Sequence, residues 1–468
     1  INCKEVYPMY EINFKAPCHV YFVGIGGISM SGLAELLFRE GFTVSGSDRN
    51  SSDLTRSLEA KGITVHYGES ASHITSDISC AVLTSAVKDN NLEFQAIREK
   101  GIPWLSRAEL LGQLMKNYKI SVAVSGTHGK TTTSSMISEI LLHAGTDPTL
   151  SIGGMLKSIG GNIRIGGSEF FVAEACEYTN SFLSLSPTIG VILNIEEDHL
   201  DFFKDLGHIR RSFRQFAELI SPEGCLIINA DIPNYDEISN GLPCKVITYS
   251  MGNVSADYYP EQISFDELGR PSFVLHGPDI GAASFRLQVP GLHNVSNALA
   301  SIALADCLSI ERSKTAEALA AFSGTARRFE HKGSVGGVTI IDDYAHHPTE
   351  ITATLSAAKK YPHKTLWCVF QPHTYSRTKT LLKDFARALS LADKVVLADI
   401  FAARETDSLG ISSENLRDEI IALGHDCYYF PSFDEIENFL LENCINGDLL
   451  ITMGAGDVLK IGESLLGS

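Results

Sequence analysis

The 468 residues are enough for about three domains at ~150 residues each, and a 44% hydrophobic content supplies several cores. With 38 lysines and arginines against 56 aspartates and glutamates, the net charge of −18 argues against a nucleic-acid partner. It leaves room for small anionic substrates held by loops and helix ends. No run approaches the ~20 apolar residues of a membrane span, and the ten cysteines show neither a C-x-x-C pair nor zinc spacing, so a reducing, cytoplasmic setting with no membrane partner is expected.

In chain order, an apolar strand at 19–23 runs into Gly24-Ile25-Gly26-Gly27, followed by a helical pattern at 30–40 and a strand at 43–47 that ends in Asp48. This is the first βαβ unit of a doubly wound sheet. Strands at 64–67, 80–84 and 103–105 close the first domain near residue 115. The glycine loop approximates the dinucleotide fingerprint G-x-G-x-x-G, but Ser29 stands at the third glycine position and the next glycine is Gly32. A diphosphate cradled by the helix end fits better than NAD. Asp48 either accepts hydrogen bonds from a ribose or base, or caps a helix.

The second domain opens with a strand at 119–124 and the loop Gly126-Thr127-His128-Gly129-Lys130-Thr131-Thr132, followed by a helix at 132–143. The glycines let backbone N–H groups turn toward an anion, Lys130 reaches β and γ phosphates, and the Thr131 hydroxyl holds Mg²⁺. Val124 occupies the first glycine position of the general Walker pattern. A strand at 170–174 delivers Glu174 beside the loop as a further oxygen ligand. A strand at 189–194 ends in Ile195-Glu196-Glu197-Asp198-His199, four acceptor-bearing side chains suited to a second divalent ion. The bland reading of each is an N-cap or a solvated loop. Strand 225–229, helices 206–219 and 294–308, and antiparallel excursions over 251–290 complete the domain. Asn294 reads as the N-cap of the last helix, and Asn297, a poor helix former one turn in, suits an adenine edge. Arg327-Arg328 marks the next junction, where an arginine over the γ phosphate follows the logic of phosphoryl transfer.

In the third domain, strands at 338–341, 365–369, 394–398 and 449–452 again give an α/β sheet. The first ends in Asp342-Asp343-Tyr344-Ala345-His346-His347-Pro348 and the second in Gln371-Pro372-His373-Thr374-Tyr375-Ser376-Arg377, two strand ends converging on one pocket. Adjacent histidines on an extended chain point opposite ways, so His346 and His347 suit hydrogen bonding better than a shared metal.

Together these motifs resemble the Mur ligase family, ATP-dependent amide-forming enzymes of peptidoglycan synthesis, with matching segments from Gly24 to Gly456. That family's phosphate loop, Gly-Thr-x-Gly-Lys-Thr-Thr, does not need the early Walker glycine. The Gly24 to Gly32 loop and Asp343 to Pro348 are similar to the alanine-adding branch.

The resemblance implies three α/β domains. A Rossmann-like domain over 1–116 would hold the UDP moiety of UDP-N-acetylmuramate rather than NAD, through Gly24, Gly26, Gly27, Ser29, Asp48, Ser85 and Arg107. A central P-loop ATPase domain over 117–326 would bind ATP through Gly126, Thr127, His128, Gly129, Lys130, Thr131, Thr132, Asn294 and Asn297, with Mg²⁺ on Thr131, Glu174 and His199. Arg328 would meet the γ phosphate and Asp343 the ribose. A C-terminal Rossmann-like domain over 327–468 would bind L-alanine near Tyr344, His346, His373 and Arg377. The residues nearest the chemistry would be Lys130, Glu174, His199, Arg328 and His346, the last accepting the amine proton. The implied closure has hinges near 117 and 327.

Two positions depart from or narrow the pattern. Thr374 stands where relatives carry a second arginine, and between His199 and Leu219 the only lysine is Lys204, so no carbamylated lysine of the sister-ligase kind is available. The rival readings are a ligase that attaches a recovered tripeptide to the same sugar nucleotide, a folylpolyglutamate-type ligase, and an NAD-dependent oxidoreductase, which would leave the second glycine loop without work. A GTPase would need an N-K-x-D segment, which is missing.

Overall fold

Strand His19–Val23 is buried from its second residue onward, as expected where helices cover both faces of a parallel sheet. The computed structural model describes residues 10–84, 86–200, 202–278, 280–403 and 405–467. In the first sheet five parallel strands run in the order Thr64–Tyr67, Thr43–Asp48, His19–Val23, Cys80–Leu83, Trp104–Ser106. The order reverses between His19–Val23 and Cys80–Leu83, the point at which such sheets open a crevice at their carboxyl ends. Helix Ile28–Arg39 starts two residues before the expected 30, with Gly27 at its N-cap.

The central sheet has seven strands in the order Lys245–Tyr249, Cys225–Asn229, Ile189–Ile192, Ile120–Ser125, Phe170–Glu174, Thr149–Leu156, Gly161–Arg164. Only the last pair is antiparallel. Helix Lys130–His143 packs beneath it, and its buried Ser134 and Ser138 donate to Thr131 O and Ser134 O. Small hydroxyl side chains satisfied on their own helix allow close packing against the alanine-rich helix Leu292–Cys307. That helix begins after Gly291, whose φ is 98°, so Asn294 is not its N-cap; instead Asn294 Nδ2 donates to Pro290 O at 2.7 Å. The excursions over 251–290 are the antiparallel strands Tyr259–Phe265, Pro271–Gly277 and Ile280–Arg286.

The third sheet runs Glu330–Val335, Val338–Asp343, Leu449–Met453, Leu366–Phe370, Lys394–Leu397, Asp426–Tyr429, parallel except for its first strand. Glu330–Val335 carries no apolar alternation, so sequence patterning overlooks it; it is an edge strand turned back by Gly336 and Gly337 at φ 58° and 80°. Among the described residues no helix is long and apolar enough to cross a membrane.

The first and central units share one apolar core, with Leu37, Leu114, Phe171 and Phe213 in the same cluster. Gly32 lies under Ile163, where an added Cβ would meet Ile163 Cδ1 at 2.2 Å. Near 117 the chain is tied down, since Asn117 accepts from Phe14 N at 3.1 Å and donates to Ile12 O at 3.0 Å. At the other junction Arg327 and Phe329 take φ of 61° and 49°, a left-handed backbone that non-glycine residues rarely adopt.

Candidate functional site

Strand Ile120–Ser125 breaks at Gly126, where a Cβ would press on Leu193 Cβ at 2.9 Å, and the helix begins after Gly129 at φ 83°. The Asn194 side chain staples the loop, accepting from His128 N at 2.7 Å and donating to His128 O at 3.0 Å. Lys130 Nζ donates to Gly126 O at 2.6 Å, to Thr127 O at 3.0 Å and to Glu177 Oε2 at 2.9 Å. Burial alone would lower the Lys130 pKa, but Glu177 outweighs it and raises it, so the ammonium stays charged.

Thr131 and Glu174 meet as the sequence pattern predicts. Thr131 Oγ1 donates to Glu174 Oε2 at 2.8 Å, and Gly153 N donates to the same oxygen at 3.1 Å. Gly153 is required by closeness, because a Cβ there would lie 2.2 Å from Glu174 Oε2. A hydroxyl and a carboxylate held in a cradle without side-chain bulk form an oxygen donor set that fits Mg²⁺. His199, at φ 53°, lies tilted against Tyr178 with ring centroids 4.5 Å apart and planes at 31°, and burial lowers its pKa. Its Nε2 is 3.8 Å from Glu177 Oε1. Glu177, only 2% exposed, therefore sits between Lys130 and His199. Sequence reasoning gave it no role, because a carboxylate three residues past a strand end reads as a loop residue.

The four side chains after strand Ile189–Ile192 do not converge on one ion. Glu197 is exposed, Glu196 accepts from Thr349 Oγ1 at 2.7 Å, and Asp198 pairs with Arg377 at 2.9 Å. The segment is instead a bridge to the C-terminal unit. Burial would raise the Asp198 carboxyl, but Arg377 and His199 overcome it and hold it well below the usual range.

Between that unit and the phosphate loop lies a cavity of about 260 Å³ lined by Asn294, Asn297, Arg328, Asp343, His128 and Glu350 among others. Asn297 Nδ2 donates to Asn294 Oδ1 at 3.1 Å. Arg327 and Arg328 part ways at the junction. Arg327 is structural, bonded to Asp342 Oδ2 at 3.0 Å and Gly454 O at 2.7 Å, whereas the Arg328 guanidinium lies 5.1 Å over the Tyr344 ring and faces the cavity. Asp343 accepts from Phe329 N at 2.7 Å and Ala345 N at 2.8 Å, so its carboxylate also holds the junction. Burial pushes it up to about 6.

The two strand ends of the third sheet do bring Tyr344, His346, His373 and Arg377 together. His346 lies edge-on to Tyr344 at 5.4 Å and to His373 at 5.8 Å, and Arg377 Nη1 is 3.3 Å from His373 Nδ1. Burial pushes both His346 and His373 down to about 4. His346 Nδ1 is 2.9 Å from Tyr344 O, a contact that needs the proton on Nδ1 and leaves the Nε2 lone pair free. His347 is hydrogen-bonded as expected, with Nε2 3.2 Å from Glu197 O. Thr374 has φ 65° and donates its N–H to Phe401 O at 2.9 Å.

At the carboxyl ends of the first sheet a cavity of about 510 Å³ is lined by Gly24, Gly27, Asp48, Thr84, Lys88 and Glu93 among others. Asp48 is not a helix cap. Its Oδ2 accepts from Gly26 N at 2.8 Å, and the next helix, Asp53–Ala60, is capped by Ser52. Gly26, Ser29 and Arg107 are not among the lining residues, and Ser85 lies outside the described residues. Sequence reading also passed over Glu93, fully buried, which accepts from Tyr21 OH at 2.9 Å and Ser47 Oγ at 2.6 Å.

Comparison with known proteins finds three family models in succession along the chain. The models named "Mur ligase family, catalytic domain", "Mur ligase middle domain" and "Mur ligase, glutamate ligase domain" match residues 19–119, 124–305 and 327–456. The chain is 59% identical over 458 residues to the UDP-N-acetylmuramate–L-alanine ligase of Agathobacter rectalis, covering 98% of this chain and 100% of that one. Among solved structures it is similar to the UDP-N-acetylmuramate-alanine ligase of Thermotoga maritima, with TM-score 0.78 and 29% identity over 96% of this chain and 98% of that one. A murein peptide ligase from Psychrobacter arcticus aligns with TM-score 0.69 and 27% identity, covering 96% and 98%. With family models in chain order and relatives of this identity along nearly its whole length, the chain belongs to the Mur ligase family.

Proposed function

We propose that this chain joins L-alanine to the carboxylate of UDP-N-acetylmuramate, using ATP and releasing ADP and phosphate. The observation that carries the reading is the Asp198–Arg377 bridge of 2.9 Å, which sets the imidazole pocket of the third sheet against the phosphate loop. The named activity of the 59% identical relative supports it. In this reading residues 1–116 hold the sugar nucleotide, 117–326 the ATP and 327–468 the amino acid.

The muramate carboxylate attacks the γ phosphorus, forming an acyl–phosphate bond as the bond to ADP breaks. Lys130 and Arg328 offset the negative charge on the transferring phosphoryl group. Thr131, Glu174 and His199 would hold Mg²⁺, which would supply positive charge against the phosphates. The alanine amine then attacks the acyl carbon, phosphate leaves, and His346 Nε2 takes the amine proton. Burial keeps this imidazole unprotonated at neutral pH, and its contact to Tyr344 O leaves the Nε2 lone pair free to accept. Positioning supplies most of the remaining acceleration.

The test is phosphate release with ATP, UDP-N-acetylmuramate, L-alanine and Mg²⁺, leaving out each in turn. Release that needs all four supports the reading. Turnover only when a tripeptide replaces alanine assigns the recycling reaction, and release without the sugar nucleotide overturns both.

A further inference from the structure

One cluster of ligand-bearing side chains joins the phosphate loop to the C-terminal unit and carries none of the chemical steps above. His128 comes from the loop, Glu196 from the segment after strand Ile189–Ile192, and His347 from the cap of helix Pro348–Ala358. One ligand atom from each lies within 4.8 Å of the other two. The His128 and His347 rings are 4.8 Å apart at 36°.

The hydrogen bonds around His128 orient it as a ligand. Its Nδ1 is 3.2 Å from Glu350 Oε1, so the Nδ1 proton is held by a carboxylate, the usual outer support of a metal-binding imidazole. Its Nε2 is buried with no hydrogen-bond partner and lies 3.6 Å from Glu196 Oε2, too far for a hydrogen bond. A lone pair facing a carboxylate across that gap is repulsive unless a cation lies between them, either a proton on Nε2 or a metal ion. His347 would bind an ion by giving up one of its two hydrogen bonds, that of Nε2 to Glu197 O at 3.2 Å or the longer one that Nδ1 accepts from Thr349 N at 3.4 Å.

We propose that His128, Glu196 and His347 form a site for a divalent transition-metal ion of the zinc class, which staples the C-terminal unit onto the phosphate loop. Two imidazoles and a carboxylate select such an ion over Mg²⁺, which prefers an all-oxygen shell. Three protein ligands leave a fourth position for water. Bonds of about 2.1 Å in a tetrahedral site bring ligand atoms to about 3.4 Å of each other, and Glu196, with a side chain 37% exposed, has the freedom to move in. Because His128 and Glu196 also line the nucleotide cavity, the bound ion holds the two units closed and inhibits turnover.

The test uses the full chain, stripped of transition metals and held in excess Mg²⁺, titrated with Co²⁺ as a visible stand-in for zinc. The expected result is one Co²⁺ with the intense visible absorption of a four-coordinate site, displaced by one equivalent of Zn²⁺. His347→Ala and Glu196→Gln should each weaken that binding at least tenfold while circular dichroism reports a folded chain. Any Co²⁺ at Glu174 and His199 persists in both variants and is thereby separated. Equal Co²⁺ affinity and identical spectra in all three proteins overturn the site, as does a weak six-coordinate spectrum in the parent. If His347→Ala fails to fold, Glu196→Gln alone decides. The readout needs no turnover, so its failure is distinct from failure of the proposed reaction.

Discussion

Glu177 Oε2 lies 2.9 Å from Lys130 Nζ while Glu177 Oε1 faces His199 Nε2 at 3.8 Å, so one buried carboxylate holds the phosphate-loop lysine directly and borders the His199 imidazole. Replacing Glu177 by Gln keeps the volume and removes the charge, leaving Lys130 buried beside a neutral amide. Breaking a buried pair costs about 3–5 kcal/mol when one partner is removed, and the isosteric change should cost less, about 1–3 kcal/mol in thermal unfolding. A fall in kcat of at least tenfold is expected, with the KM for L-alanine nearly unchanged. If kcat survives intact, Glu177 is a structural carboxylate only.

How much of this was legible in the sequence varies by physical cause. The strands that end in Glu174 and Asp343 were readable because buried parallel strands are continuous apolar runs whose stop is abrupt. Glu177 and Glu93 were not, since a carboxylate becomes a buried anchor only through partners distant in sequence, such as Lys130 and Tyr21. The cap of helix Leu292–Cys307 was misplaced onto Asn294 because Gly291 can start a helix from a backbone conformation closed to other residues. Glu196 and Asp198 were read as ligands of one ion, and only the docking of Thr349 and Arg377 from another unit separates them.

The Asp198–Arg377 pair, 9% and 11% exposed, is the clearest polar link between the central and C-terminal units. Arg377 also touches His373. Replacing Asp198 by Asn should free the guanidinium and raise the KM for L-alanine about tenfold, in the range of losses for truncated buried charge pairs. The KM for ATP should change far less. A double-mutant cycle with Arg377→Lys checks the coupling, because additive effects would mean the two side chains act separately.

The clasp around His128 has a defined pH window in metal-free solution. Burial would lower the His128 pKa, yet Glu196 and Glu350 outweigh it and push it up to about 9. A folded value above the unfolded ~6.5 stabilises fully below ~6.5 and is lost as pH rises through about 9. Glu350 shifts the other way. Burial would raise it, but His346 and His128 hold it well below 4.5, so its contribution is present above 4.5 and fades as pH falls. Unfolding measured from pH 5 to 10 should therefore show a decline between pH 7 and 9 that Glu350→Gln flattens. An equal decline in both proteins would assign the loss elsewhere.

Gly153 offers the sharpest test of the oxygen site, because its φ lies outside the left-handed region and the residue is there for space alone. A Cβ at this position would stand 2.2 Å from Glu174 Oε2 and 2.7 Å from Glu174 Oε1, so Gly153→Ala must drive the carboxylate away from Thr131 Oγ1, now 2.8 Å distant. Overpacking of this kind costs about 1–3 kcal/mol, and the backbone donor at Gly153 N is displaced from the same oxygen. The Mg²⁺ concentration needed for half-maximal turnover should rise tenfold or more, with partial recovery at high Mg²⁺. Gly252→Ala is the control, since nothing lies within 4 Å of its Cβ position, and it should leave both stability and Mg²⁺ demand unchanged. Equal Mg²⁺ dependence in the two variants would remove Glu174 from the metal's ligands, because a carboxylate that can be moved without consequence is not holding the ion.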